Sequence, residues 1–373
     1  MKRWLDLALV TLFGVGLAFP TVVSLSWRQN GKPLDEGRIL AGFPERTDDP
    51  NRWQEYLLQV ERYYGDHFGF REPLIAFDLM IKRVLFAEMG PNVLPGREGW
   101  LYLTRDCNID TLNDCLGVTR FSPAQLKVRQ ASLEERRDRL AAQGIKYLYV
   151  IAPNKESIYP EYLPGWLKPS ATNKVDQFVE HMRVHSTVPV LDLRPVLREA
   201  RQHLPVYYKT DSHWNLPGAL VASEAIITNQ SNQIPGLVPL KLEGFEIQPV
   251  PGTDGDLVRM AGEANGEDDN NFVLIPGSSL PQLEFSSSGT NQIGWPQIWS
   301  IPVPENKEVT TIINNQRTHR VLVFGDSFAV KLQPFLGFHF GQVIFSREHF
   351  SEAEVMKAKP DLVIEEAVER LLH

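Results

Sequence analysis

The stretch Arg320 to Ser327, RVLVFGDS, decides how this chain folds. Val321 to Phe324 form a short apolar run, the pattern of a strand buried on both faces. Gly325-Asp326-Ser327 breaks the run, and a helix is expected from about Phe328. The same unit recurs outward from this point. KYLYVIA (146–152) precedes the loop PNKES, VPVLDL (188–193) precedes the helical PVLREARQ, and QVIFS (342–346) and DLVIEE (361–366) follow. Helices are expected at 122–143, capped by Ser122-Pro123 and ended by Gly144, and at 173–186, 214–228, 351–359 and the C-terminal tail. Strands alternating with helices predict an α/β fold, a three-layer α/β/α sandwich around a mainly parallel five-stranded sheet. Residues 229–318, rich in Gly, Pro, Asn and Ser, interrupt the alternation and read as a long, partly β insertion over the sheet edge.

The chain has 373 residues and a formal charge of −8, from 38 Lys+Arg against 46 Asp+Glu. That balance argues against nucleic acid, whose binding needs a basic patch to release counterions. After Lys2 and Arg3, residues 7–27 carry no charge. At ~1.5 Å per residue they span about 31 Å, enough to cross a hydrocarbon core. Residues 1–27 are therefore expected to be a single-pass inner-membrane helix, with a cleaved signal sequence and secretion as the alternative. Residues 28–52 read as a linker and 53–373 as one extracytoplasmic, periplasmic domain. In an oxidising compartment Cys107 and Cys115 are expected to form a disulfide closing a small loop.

Two motifs carry reactive groups. Ser327 lies where a strand ends and a helix begins, the edge at which open α/β sheets hold their sites. Its hydroxyl is a candidate nucleophile and its amide a candidate oxyanion donor; a plain helix cap is the competing reading. In Thr210-Asp211-Ser212-His213-Trp214, Asp211 can accept from one imidazole nitrogen of His213, leaving the other as a base. A capping Asp with an incidental His competes here. A metal site is set aside, because no third ligand stands at helical or hairpin spacing. Asn154, Lys155, Trp214 and Arg347 are weaker candidates for substrate contacts, and Gly255-Asp256-Leu257 reads as a motif or a mere turn.

With these motifs in view, the chain resembles the SGNH-hydrolase-like family of alginate O-acetyltransferases, the AlgX and AlgJ relatives. The matching segments, in order, are DHFGFRE (66–72), GREGWLYL (96–103), APNKESIYPEYLP (152–164), TDSHW (210–214), GDL (255–257), VFGDSFA (323–329) and KPDLVIEEAVERLL (359–372). The resemblance implies Ser327 as nucleophile, His213 as base and Asp211 as its orienter. The Asp-x-His motif precedes the nucleophile, a permuted order relative to ordinary SGNH esterases. It further implies acetyl transfer, without a cofactor, to hydroxyls of an exported polysaccharide, and a multipass membrane acyltransferase as the partner supplying acetyl groups. A carbohydrate acetyl esterase with the same triad and a non-catalytic glycan-binding assembly subunit are the alternatives.

Overall fold

A computed structural model describes residues 42–44, 53–66, 92–106, 109–252, 255–262, 270–277, 283–287, 290–294, 310–347 and 349–372. The expected membrane segment 7–27 and the linker lie outside these residues, apart from 42–44. Among the described residues, no helix is long and apolar enough to cross a membrane. The chain divides into two units, residues up to Leu94 with Arg259–Ala264, and Pro95–Val258 with Asn265–His373. In the first, helix α1 (Trp53–Asp66) carries Tyr63, which meets Phe43 edge-on at 5.1 Å between ring centroids.

The second unit holds one central sheet. Its strands are β1 (Lys146–Ala152), β2 (Val190–Asp192), β3 (Leu283–Ser287), β4 (Thr290–Gly294), β5 (Thr310–Ile313), β6 (Arg320–Phe324), β7 (Gln342–Ser346) and β8 (Leu362–Val368). The spatial order is β4-β3-β5-β7-β6-β8-β1-β2. The run β7-β6-β8-β1-β2 is parallel, with Val323 opposite both Phe345 and Ile364, and Glu365 opposite Tyr149. These are the five strands expected from sequence.

The sheet itself is mixed and eight-stranded, which corrects the five-stranded expectation. Strands β5, β3 and β4 join antiparallel beyond β7. All three come from the 229–318 insertion, which thus extends the sheet. A separate antiparallel pair, Phe245–Pro249 with Phe272–Pro276, also comes from it. Edge pairing between short, widely separated segments depends on which edge the parallel core leaves open, and local alternation does not encode that. The C-terminal tail is a single 3₁₀ turn, Glu369–Leu371, rather than a helix.

Helices α2 (Pro123–Ala141), α3 (Lys174–His185), α4 (Arg194–Ala200), α5 (Leu216–Gln230), α6 (Ser327–Val330) and α7 (Glu352–Ala358) complete the frame. Ser122 and Gln125 form the capping box that starts α2. One sheet face, built from Tyr147, Tyr149, Ile151, Leu322, Phe324, Ile344 and Val363, packs with Leu133 and Leu140 of α2, Val175, Phe178 and Met182 of α3, and Val355 of α7. Leu148, Val150, Val321, Val323, Val343 and Phe345, which alternate with them, are equally buried, so both faces are covered. The chain leaves β6 for β7 on one side, then crosses to β8 on the other. The C-terminal end of β6 is therefore the topological switch point, where a crevice opens.

Candidate active site

The β6 strand ends at this switch point in Gly325-Asp326-Ser327. A Cβ on Gly325 would stand 2.6 Å from the Ala329 side chain and 2.8 Å from Glu366 Oε2, so only glycine fits beneath the turn. Asp326 caps α6: its Oδ1 accepts from Phe328 N–H and its Oδ2 from Val368 N–H, each at 2.8 Å. Its own N–H donates to Glu366 Oε2 at 3.1 Å. Burial, then the charge of Asp326, push the Glu366 carboxyl well above the usual carboxylate range. Both faces of the turn are thus pinned to β8, and Ser327 occupies the first position of α6.

His213 reaches Ser327 from across the crevice. Its Nε2 lies 2.7 Å from Ser327 Oγ, although 114 residues separate the two. Its Nδ1 lies 2.7 Å from Asp211 Oδ1, which also accepts the His213 backbone N–H at 2.9 Å. The Phe328 ring packs against the imidazole at 4.8 Å between centroids. Burial alone would raise the Asp211 carboxyl, but the charge and hydrogen bond of His213, with Lys331 nearby, hold it well below the usual range. Chemically, such contacts allow an imidazole to take a serine hydroxyl's proton while a carboxylate orients the ring.

A second acid stands close by. Asp256 Oδ2 is 3.5 Å from His213 Nδ1, and Asp256 N–H donates to Asp211 Oδ2 at 3.1 Å. Asp211, His213 and Asp256 are near enough together to invite comparison with a metal site. At tetrahedral zinc, ligand atoms on bonds of about 2.1 Å stand about 3.4 Å apart. The 2.7 Å between Asp211 and His213 is instead a hydrogen-bond distance.

The weaker candidates fall elsewhere. Trp214 is fully buried and packs edge-on against Phe328 at 5.1 Å, so it is core and not a substrate platform. Asn154 is buried as well. Its backbone N–H donates to Glu369 at 2.9 Å and its side-chain oxygen accepts from Arg370 at 3.2 Å. Lys155, 3% exposed, donates to the carbonyl oxygens of Tyr208 (3.2 Å), Lys209 (2.9 Å) and Asp211 (2.8 Å). These two residues build the loop beside the site. Arg347 is exposed and lines a cavity of about 510 Å³ with Arg129, Arg136, His349 and Phe350; Gly325 and Asp326 border it but Ser327 does not.

Cys115 is a free, buried cysteine, its thiol pushed up by that burial; Cys107, its expected disulfide partner, lies outside the described residues. Lys155, Asp256 and Glu366 are the residues of the site whose roles sequence reasoning missed. Gly255-Asp256-Leu257 had offered a signal, and its meaning lay in a contact made only on folding.

Comparison with known proteins gives a consistent result. Residues 93–273 match the family model described as the SGNH hydrolase-like domain of acetyltransferase AlgX. The probable alginate O-acetylase AlgJ of Pseudomonas fluorescens is 29% identical over 202 residues, covering 53% of this chain and 48% of the relative. Its Pseudomonas aeruginosa counterpart is 25% identical over 195 residues, covering 51% and 46%. The chain thus spans about half the length of these curated relatives. Among solved structures, Bacillus cereus PatB1 shares the fold, with a TM-score of 0.53 at 16% identity over 74% of this chain and 95% of that one.

Proposed function

We propose that this chain, whose residues 93–273 match the SGNH hydrolase-like domain of acetyltransferase AlgX, is an O-acetyltransferase acting on an exported polysaccharide. The observation that carries the reading is the 2.7 Å contact between His213 Nε2 and Ser327 Oγ, with Asp211 on the opposite nitrogen. Relatives named alginate O-acetylase supply the group transferred and the class of acceptor.

In the first half-reaction, Ser327 Oγ attacks the acetyl carbonyl of a donor ester while His213 Nε2 takes the hydroxyl proton. The Ser327 N–H, at the first turn of α6, stabilises the developing oxyanion. The intermediate collapses, His213 returns the proton to the departing oxygen, and acetyl-Ser327 remains. In the second half, a sugar hydroxyl gives its proton to His213 and its oxygen attacks the acetyl carbon. Ser327 leaves with that proton. No redox or metal step is required for atoms and charge to balance.

The same reading places the domain outside the cytoplasm, held by residues 7–27, beside a multipass membrane acyltransferase that delivers acetyl groups. Alkaline phosphatase fused after residue 30 should then be active and sediment with membranes. A soluble mature chain beginning near residue 19 would replace the anchored form with a secreted one.

The decisive experiment follows acetyl from p-nitrophenyl acetate. The proposal expects an oligosaccharide acceptor to divert acetyl from water to sugar, and deletion of the gene to remove acetyl from an exported polymer. Acetate release unaffected by every acceptor, with an acetylated glycan deacetylated instead, would make the protein an esterase. No labelling of Ser327 by a sulfonyl fluoride would leave a glycan-binding subunit.

A further inference from the structure

We infer that Asp256 is a second carboxylate serving His213, positioned at the same imidazole nitrogen as Asp211 and able to support the base when Asp211 cannot. The inference rests on the acyl-enzyme reading above and concerns a residue that reading does not use.

The geometry is a closed ring of polar groups. Ser212 N–H donates to Asp256 Oδ1 at 2.7 Å, and Ser212 Oγ donates to Asp256 Oδ2. The same Ser212 Oγ lies 3.3 Å from His213 Nδ1, and Asp256 Oδ2 lies 3.5 Å from it. The Asp256 N–H closes the ring on Asp211 Oδ2 at 3.1 Å. Asp211 therefore spends one oxygen on the imidazole and the other on Asp256. Nor can Asp256 drift away. A Cβ on Gly255 would stand 2.1 Å from Thr210 O, so the turn is pressed backbone to backbone against the loop carrying Asp211 and His213.

At rest, Nδ1–H donates to Asp211 and the Asp256 contact is longer than a hydrogen bond. When Ser327 gives its proton to Nε2, the ring becomes a cation facing two carboxyl groups. In a part-buried setting of reduced dielectric, an anion 3.5 Å away stabilises that cation. Asp256 is thus a positioning residue whose effect appears when the imidazole is charged. The other groups around the ring are Lys331 beyond Asp211, the Phe328 ring on its face and Ser327 at Nε2. Burial and the Asp211 charge raise the Asp256 carboxyl above its ordinary value. This is what a second acid beside a first one experiences, and a cationic imidazole offsets it.

The test compares the full-length protein with D211N, D256N, D256E and the D211N/D256N pair on p-nitrophenyl acetate, with S327A as the floor. We expect D256N to lower kcat about tenfold with little change in KM, because the lost interaction belongs to the charged state. Its acidic limb in kcat/KM should move to lower pH, since removing an anion disfavours the imidazolium, and D256E should move it back. D211N should lose about 10²-fold, less than the roughly 10⁴-fold typical when no second acid stands by, and the pair should fall to the S327A floor. D211N already at the floor, or D256N lowering Tm with the limb unmoved, overturns the inference and leaves Asp256 a turn residue. Wild-type protein with no turnover and an unlabelled Ser327 overturns the acyl-enzyme reading and this inference with it. Active protein lacking the coupling overturns this inference alone.

Discussion

The ammonium of Lys155 donates to the carbonyl oxygen of Asp211 at 2.8 Å, so a residue 56 positions earlier holds the backbone that presents both Asp211 and His213. The strand β1 delivers Lys155 to the sheet edge, and three carbonyls converge on it. Replacing the ammonium by an alkyl chain leaves those carbonyls without their shared donor. K155M should destabilise the protein by at least about 2 kcal/mol, given hydrogen bonds to a charged group of about 1.5–3 kcal/mol each. Chemical denaturation measures this, and K155M with unchanged stability would remove the loop-holding role.

Residues acting as one unit have non-additive effects. S327A and H213A should each abolish most turnover of an activated ester, and the double variant should be scarcely worse than either. Single-turnover kinetics checks this. Independent, multiplying losses would mean that the 2.7 Å contact is not the reacting pair.

Asp326 offers a contrast within the same turn. Both of its carboxylate oxygens accept backbone N–H groups, from Phe328 and Val368. An amide in its place turns a donor toward one of those N–H groups. D326N should therefore cost about 1–3 kcal/mol of stability, while any protein that folds retains a measurable rate above S327A. A D326N protein of full stability and no activity would assign Asp326 to the chemistry.

Glu156 makes the alkaline side of the stability profile testable. Burial, with Glu369 adding to it, raises its carboxyl to about 8, far above its ordinary value. The sign follows from proton counting. Between the unfolded value near 4.5 and about 8, the folded chain keeps a proton that the unfolded chain has released. Stability contributed by this group is therefore full below the unfolded value and is lost as pH rises toward about 8. E156Q, which cannot ionise, should show a smaller fall in Tm between pH 5 and pH 8 than the parent. Equal slopes in the two proteins would count against a neutral, buried Glu156.

Much of this could be read before folding was considered. The five apolar runs, from Lys146 to Glu366, matched the parallel core because strands covered on both faces leave continuous hydrophobic stretches. The motif pair around His213 and Ser327 was legible for a related reason. A turn after such a strand places its residues at one edge, so two reactive loops can be assigned to one crevice. Trp214 and Lys155 were misread because sequence shows which residues stand beside a motif and not which way they point. Trp214 turned into the core against Phe328, and Lys155 turned under the loop.

By itself, then, the amino-acid sequence determined the strand-helix alternation and brought out the two motifs that carry Ser327, His213 and Asp211. These depend on local periodicity and on chemistry within a few residues. Only the tertiary structure decided that the sheet grows by three antiparallel strands and that Asp256 stands beside His213. Each of those depends on which distant backbone reaches an open edge or a crowded loop. Steric fit selects that partner, as at Gly255, where a Cβ would stand 2.1 Å from Thr210 O, and such a contact exists only once the chain has closed on itself.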